Sequence, residues 1–181
     1  MNKFSTLQPA STLQPGRWAL VPLPRREQRE GMLACIAALA LEGPVVVLDG
    51  GMLFNTYRVV MAAHGQTRIL NRIRFARAFT CYQMVALLER ASAEEAGVVV
   101  LDLLATFQDE NVPAGERTRL LKICLPHLTR LSQACGALVS VGVLAGMPSE
   151  SQPLFRLLEG EAAQVVEWQK PVLSEKTSTL F

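Results

Sequence analysis

The chain is short of the residues on which most reaction chemistry depends, and each shortage removes a class of protein. It has two histidines, His64 and His127, far from one another and from any cysteine or acid pair at ligand spacing, so surface and helix-lining roles are expected and catalysis is not. Its four cysteines, Cys35, Cys81, Cys124 and Cys135, lack metal-ligand spacing and stand mostly among apolar residues, which reads as buried reduced thiols, not as ligands or disulfides. Ser140 lies inside an apolar run without a nucleophile-elbow pattern, so no serine or cysteine hydrolase is indicated. Glu42, Asp49 and Asp102 interrupt the longest apolar stretches well before the ~20 residues of a spanning helix. The first sixteen residues lack the charged-then-apolar order of a secretory signal, and the expected setting is cytoplasmic, without membrane contact. Net charge is also small: 18 Lys and Arg oppose 16 Asp and Glu, so any nucleic-acid contact has to come from local clustering.

What is present is apolar and ordered. Half of the 181 residues are hydrophobic, enough for one substantial core and one domain. Val45-Val46-Val47-Leu48-Asp49 and Gly97-Val98-Val99-Val100-Leu101-Asp102 are β-branched runs closed by an aspartate, the form of a strand covered on both faces by helices. Ala137-Leu138-Val139-Ser140-Val141-Gly142-Val143 predicts a third such strand. Trp18-Ala19-Leu20-Val21 predicts a short first one that leaves through Pro22 and Pro24. Residues 72–79 alternate basic or small with apolar, as a less deeply buried strand does, and residues 163–168 can form a last strand.

Helices are expected over residues 31–41, 57–64, 83–93 and 116–135. In the last of these Leu120, Leu121, Cys124, Leu128, Leu131 and Cys135 make one apolar stripe, and Pro126 should kink it. Strands alternating with helices predict an α/β fold, a doubly wound, mainly parallel β-sheet flanked by helices.

Residues 1–16, with the short repeat Ser-Thr-Leu-Gln-Pro at 5–9 and 11–15, read as an extended arm before a domain over 17–170, and residues 171–181 as a polar tail. Each end carries an apolar anchor suited to a partner's groove, Phe4 in the arm and Leu180-Phe181 in the tail.

Three stretches resemble the ATPase core of the RecA/RadA recombinase superfamily, nearest its archaeal and eukaryotic strand-exchange branch. Arg74-Phe75-Ala76-Arg77-Ala78-Phe79-Thr80-Cys81-Tyr82-Gln83-Met84, followed by Leu87-Leu88, looks like that branch's Ala-Arg-Ala strand and following helix. Residues 98–102 are similar to its Walker B strand, ending on Asp102, and Val47-Leu48-Asp49-Gly50-Gly51 with Phe54 and Arg58 to its Asp-Thr-Glu-Gly-x-Phe stretch. The resemblance covers roughly residues 14–145 and implies a RecA-like domain.

The departures point away from catalysis. A phosphate-binding loop needs glycines whose N–H groups cradle phosphates, a lysine and a Ser or Thr on magnesium. Here the stretch reads Pro22-Leu23-Pro24-Arg25-Arg26-Glu27-Gln28-Arg29-Glu30-Gly31, with no Gly-Lys-Thr and with Glu30 aligned to the lysine. Gly51 stands where the resemblance places a water-activating glutamate, and Val141-Gly142-Val143 where a polar sensor is expected. Asp102 alone does not restore magnesium, since such an aspartate can equally cap a turn.

No catalytic residue, cofactor or metal is therefore expected. The implied function is a catalytically inactive accessory or assembly protein of DNA recombination, repair or the damage response. Its partner would be another RecA-like protein, a translesion polymerase component or a second copy. An alternative is a regulator of the cell-division-inhibitor or mutagenic-polymerase-accessory type, and a further one is an unorthodox ATPase using Arg25, Arg26 or Arg29. Those three arginines are also candidate DNA or anion contacts, or else an exposed turn paired with Glu27 and Glu30. Arg68, Arg72, Arg74 and Arg77 are read as paired or packed by their stems more than as a phosphate strip. The loop at 108–115 carries Asp109 and Glu110 without a cation, and the one near 145–153 carries Glu150, so wrapping of DNA in the recombinase manner is not expected.

Overall fold

The structure, a computed structural model, describes residues 12–23, 26–142 and 151–166, with the side chains of Arg26 and Glu27 excepted. The β-branched runs form strands β1 (Trp18–Pro22), β2 (Val45–Asp49), β3 (Ile73–Arg77), β4 (Gly97–Leu101), β5 (Ala137–Val141) and β6 (Gln164–Val165). Between them lie helices α1 (Arg26–Glu42), α2 (Thr56–Ala62), α3 (Cys81–Arg90), α4 (Ala114–Leu131) and α5 (Gln152–Glu161), with 3-10 turns at Thr67–Arg72 and Leu103–Phe107. The six strands make one sheet in the order β3-β2-β4-β5-β1-β6, and every pairing is parallel. The expected α/β architecture is the one found.

Period-two alternation divides each inner strand between two cores. Val45 and Val47 of β2 and Val99 and Leu101 of β4 face a cluster completed by Met32, Ile36 and Ala40 of α1, Val59 of α2 and Ile69. Val46, Leu48, Val98 and Val100 face the opposite cluster, built with Met84 and Leu88 of α3, Leu121, Cys124 and Leu128 of α4, and Leu154 and Leu158 of α5. Both faces of β2, β4 and β5 are buried throughout, which is why their sequences show no polar alternation. Burial pushes the thiols of Cys35 and Cys124 up to about 12, so they stay protonated and inert.

Helix α1 starts at Arg26, not near Gly31, and this corrects the expected long loop after the first strand. Arg, Glu and Gln at 26–30 are good helix formers, and once Pro22 has closed the strand nothing in that stretch opposes a helix. Only residues 23–25 remain between β1 and α1. β4 ends at Leu101 because Asp102 turns to a left-handed conformation with φ 46°, and Leu103–Phe107 becomes a largely buried 3-10 turn. α4 runs through Pro126 to Leu131. Residues 12–16, expected as part of an arm, are held to the domain: Gly16 N–H donates to Ser132 O at 2.8 Å, and the backbone of Gln14 lies over Gly136. A Cβ at Gly136, whose φ is +88°, would lie 2.5 Å from Gln14 N, so only glycine fits there.

Val99→Asp or Leu128→Asp places a charge with no partner in one or the other core, and each is expected to lower stability by about 3–5 kcal/mol in thermal or urea melts. Unchanged melting of either variant would contradict the assignment of its core.

Candidate functional site

β1, the first strand in the chain, lies beyond β5, whereas β2 lies beyond β4. The crossover β1-α1-β2 therefore spans the middle of the sheet, and β4 and β5 later fill the gap. In parallel sheets the carboxyl ends at such a reversal of order are where ligands bind. At these ends the chain places Asp49 as the last residue of β2 with Gly50 and Gly51 after it, Asp102 after β4, and Gly142 after β5.

Asp49 is fully buried, and its hydrogen bonds account for that. Oδ1 accepts the N–H groups of Gly51 at 3.1 Å and Leu53 at 3.0 Å, and Oδ2 accepts Phe54 N–H at 3.0 Å. Oδ2 also accepts Nη2 of Arg77 at 2.8 Å and its Nε at 3.1 Å. Arg77 lies 5.2 Å above the ring of Phe75, which stacks on Phe54 at 4.5 Å. Asp49 thus spends its acceptor capacity on folding its own loop and on the edge strand, and it has little left for a ligand.

Asp102 is 7% exposed. Its N–H donates to Ser140 Oγ at 3.0 Å, and its Oδ1 accepts the N–H of Gly142 at 2.8 Å. Ser140, unremarkable in the sequence, is thereby a tie between β4 and β5. Burial raises the Asp102 carboxyl above its ordinary range and the charge of Asp49 adds to this, while the Gly142 N–H and the Arg29 guanidinium work against the rise. A Cβ at Gly142 would meet Asp102 Oδ2 at 2.9 Å and Arg29 Nη2 at 3.2 Å, so the carboxylate and the guanidinium converge over that glycine. A Cβ at Gly51 would lie 2.5 Å from the Cβ of Asp102, which leaves no room for any side chain at that position.

The side chain that α1 sends toward Asp102 is Arg29. Glu30, aligned to the phosphate-binding lysine by sequence, instead makes an exposed ion pair with Arg58. Arg26 is the first residue of α1; its side chain, and Arg25, Phe4, Leu180 and Phe181, lie outside what the structure describes. Of the expected arginine strip, Arg77 is paired and Arg72 donates to the carbonyls of Ala40 and Leu41 at the end of α1. Arg68 donates to Gln66, and Arg74 is exposed. Asp109 and Glu110 are exposed beyond the Leu103–Phe107 turn. Among the described residues no cluster of His, Cys, Asp and Glu could hold a metal, and no helix is long and apolar enough to cross a membrane.

The fold defines a class, an open parallel α/β sheet, here with Asp49, Arg77, Asp102 and Arg29 near the carboxyl ends of the strands. No family model and no curated protein matches the sequence. Among solved structures it is similar to a unique ATP synthase subunit, NeqB, from Nanoarcheaum equitans, with a TM-score of 0.56 and 10% sequence identity over 90% of this chain and 48% of that one. At that identity the likeness is one of fold, and this chain spans about half the length of its neighbour.

A raised carboxyl pKa has a definite sign. The folded chain holds the Asp102 proton more tightly than the unfolded chain, so this group favours folding at low pH. That contribution is lost as pH rises from the ordinary value of 3.8 through the higher folded value. Asp102→Asn, which keeps an oxygen for Gly142, is expected to melt above the parent at pH 7, with the gap closing toward pH 3. Gly51→Glu is expected to lose on the order of 1–3 kcal/mol through overpacking against Asp102. Thermal melts across pH check both, and a parent more stable than Asp102→Asn at pH 7 would mean that the Arg29 attraction outweighs burial.

Proposed function

We propose that this chain is a catalytically inactive RecA-like protein, an accessory or assembly subunit in DNA recombination, repair or the damage response, which works through protein contacts. The observation that carries the inactive reading is the junction of β1 and α1. Residues 23–25 are all that separate strand from helix, whereas the glycine stretch of a phosphate-binding loop, Gly-x-x-x-x-Gly, is itself six residues long. Arg29 supports the same reading, because it directs a guanidinium at Asp102, the carboxylate that the resemblance would assign to magnesium. Gly51 adds to it, since the position of a water-activating glutamate cannot hold a side chain. The recombination and repair part of the proposal rests on the resemblance of residues 74–84, 98–102 and 47–58 to the strand-exchange branch.

A second reading has one observation in its favour: a solved structure of similar fold is an ATP synthase subunit. Under that reading Arg29 would hold a phosphate in an unorthodox site. Calorimetry with magnesium-ATP and magnesium-ADP separates the two. No heat of binding is expected at nucleotide concentrations up to the millimolar range, and a dissociation constant near 1 μM, about −8 kcal/mol, would overturn the proposal.

A further inference from the structure

At the amino ends of β2 and β3, the end of the sheet opposite Asp102, a cavity of about 360 Å³ opens between the close of α1 and the 3-10 turn at Thr67–Arg72. Its lining is Leu41, Gln66, Arg68, Ile69, Asn71 and Arg72. A 3-10 turn repeats every three residues, so Arg68 stands in line with Asn71, and Ile69 with Arg72. Ile69 is buried, and Leu41, 40% exposed, is the apolar wall on the helix side. The polar groups are mostly donors with capacity to spare. Arg72 engages Nη1 alone, which donates to Ala40 O at 3.2 Å and Leu41 O at 2.8 Å and so offsets the negative end of α1. Arg68 engages Nη2 alone, on Gln66 Oε1 at 3.2 Å. Among the described residues Nε and Nη1 of Arg68, Nε and Nη2 of Arg72 and the Asn71 amide make no hydrogen bond, and neither arginine pairs with an acid. Glu42, the acid nearest in sequence, is exposed and outside the lining.

We infer that this cavity binds a small organic phosphate, a phosphate monoester on a compact body with an apolar face. Charge and donor count select the phosphate. Two guanidiniums without acid partners line one space; a tetrahedral dianion offers oxygens to both, whereas a planar carboxylate fills a single fork. Volume selects a body beyond the phosphate itself. The cavity lies at the low end of the range of about 300–1,000 Å³ typical of small-molecule sites, and Leu41 and Ile69 give that body an apolar contact. The site shares no residue with the carboxyl-end group of Arg29 and Asp102, so its ligand is additional to the proposed function and independent of it.

The test titrates the full chain at physiological salt with benzyl phosphate, inorganic phosphate, phenylacetate and benzyl alcohol, followed by calorimetry and by amide NMR shifts. Benzyl phosphate is expected to bind with a dissociation constant of about 1 mM or below, roughly tenfold or more tighter than the other three, and to shift the amides of residues 66–72. Arg68→Glu, at an exposed position whose hydrogen bond is to Gln66, is expected to melt with the parent and to lose this binding. Asn71→Leu keeps both charges and is expected to weaken it several-fold, whereas Arg74→Gln, exposed and outside the cavity, is expected to bind as the parent does. No binding of benzyl phosphate up to about 10 mM, equal binding of inorganic phosphate or phenylacetate, or an equal loss in Arg74→Gln would each overturn the inference. So would binding that Arg29→Gln removes and Arg68→Glu does not, which puts the phosphate at the carboxyl end, or a phosphotyrosine peptide that binds more tightly than benzyl phosphate, which makes the occupant a protein. Failure of benzyl phosphate with no nucleotide binding overturns this site alone, whereas nucleotide binding that Arg68→Glu leaves intact overturns the proposed function and not this site.

Discussion

The buried carboxylate of Asp49 is the interaction on which the arrangement at the carboxyl end depends. It accepts three backbone N–H groups from the loop that follows β2 and two more hydrogen bonds from Arg77 of β3. A buried carboxylate without such partners would be several kcal/mol too costly to keep ionised, and with them it becomes a rigid corner. That corner brings Phe54 onto Phe75, fixes Gly51 against Asp102 and holds the edge strand to β2.

The same corner explains why two neighbouring aspartates at strand ends have different characters. Asp49 is compensated by a guanidinium and three amides, whereas Asp102 has one amide, a more distant arginine and the repulsion of Asp49, so burial raises its pKa. Its left-handed backbone, with φ 46°, ends β4 and starts the turn that buries Leu103, Leu104 and Phe107. Strained aspartates at the end of a central strand are often kept for chemistry. Here the visible return is structural, a tie through Ser140 and Gly142 that joins β4 to β5.

Much of the fold was legible in the residues themselves. Valine runs closed by aspartate announce strands covered on both faces, because a strand with a wet face would show polar alternation, and the alternating residues 72–79 announce a strand less fully covered. The helix start was not legible in the same way. The charged residues at 26–30 have no apolar periodicity to mark them as helix, and they join α1 as good helix formers ahead of the buried Met32 and Ile36.

The sequence alone determined the six strands, the helices α1 to α4, the α/β class and the absence of a Gly-Lys-Thr loop, since these depend on periodicity and residue type within short windows, but it did not announce α5 or the two 3-10 turns. Only the tertiary structure decided that Arg29 and not Glu30 turns toward Asp102, that Gly51 lies against the carboxylate, and that β3 and β6 are the two ends of the sheet order. Those facts depend on which distant strands become neighbours. Strand order is set by the packing of both cores at once and leaves no mark in any single stretch of residues.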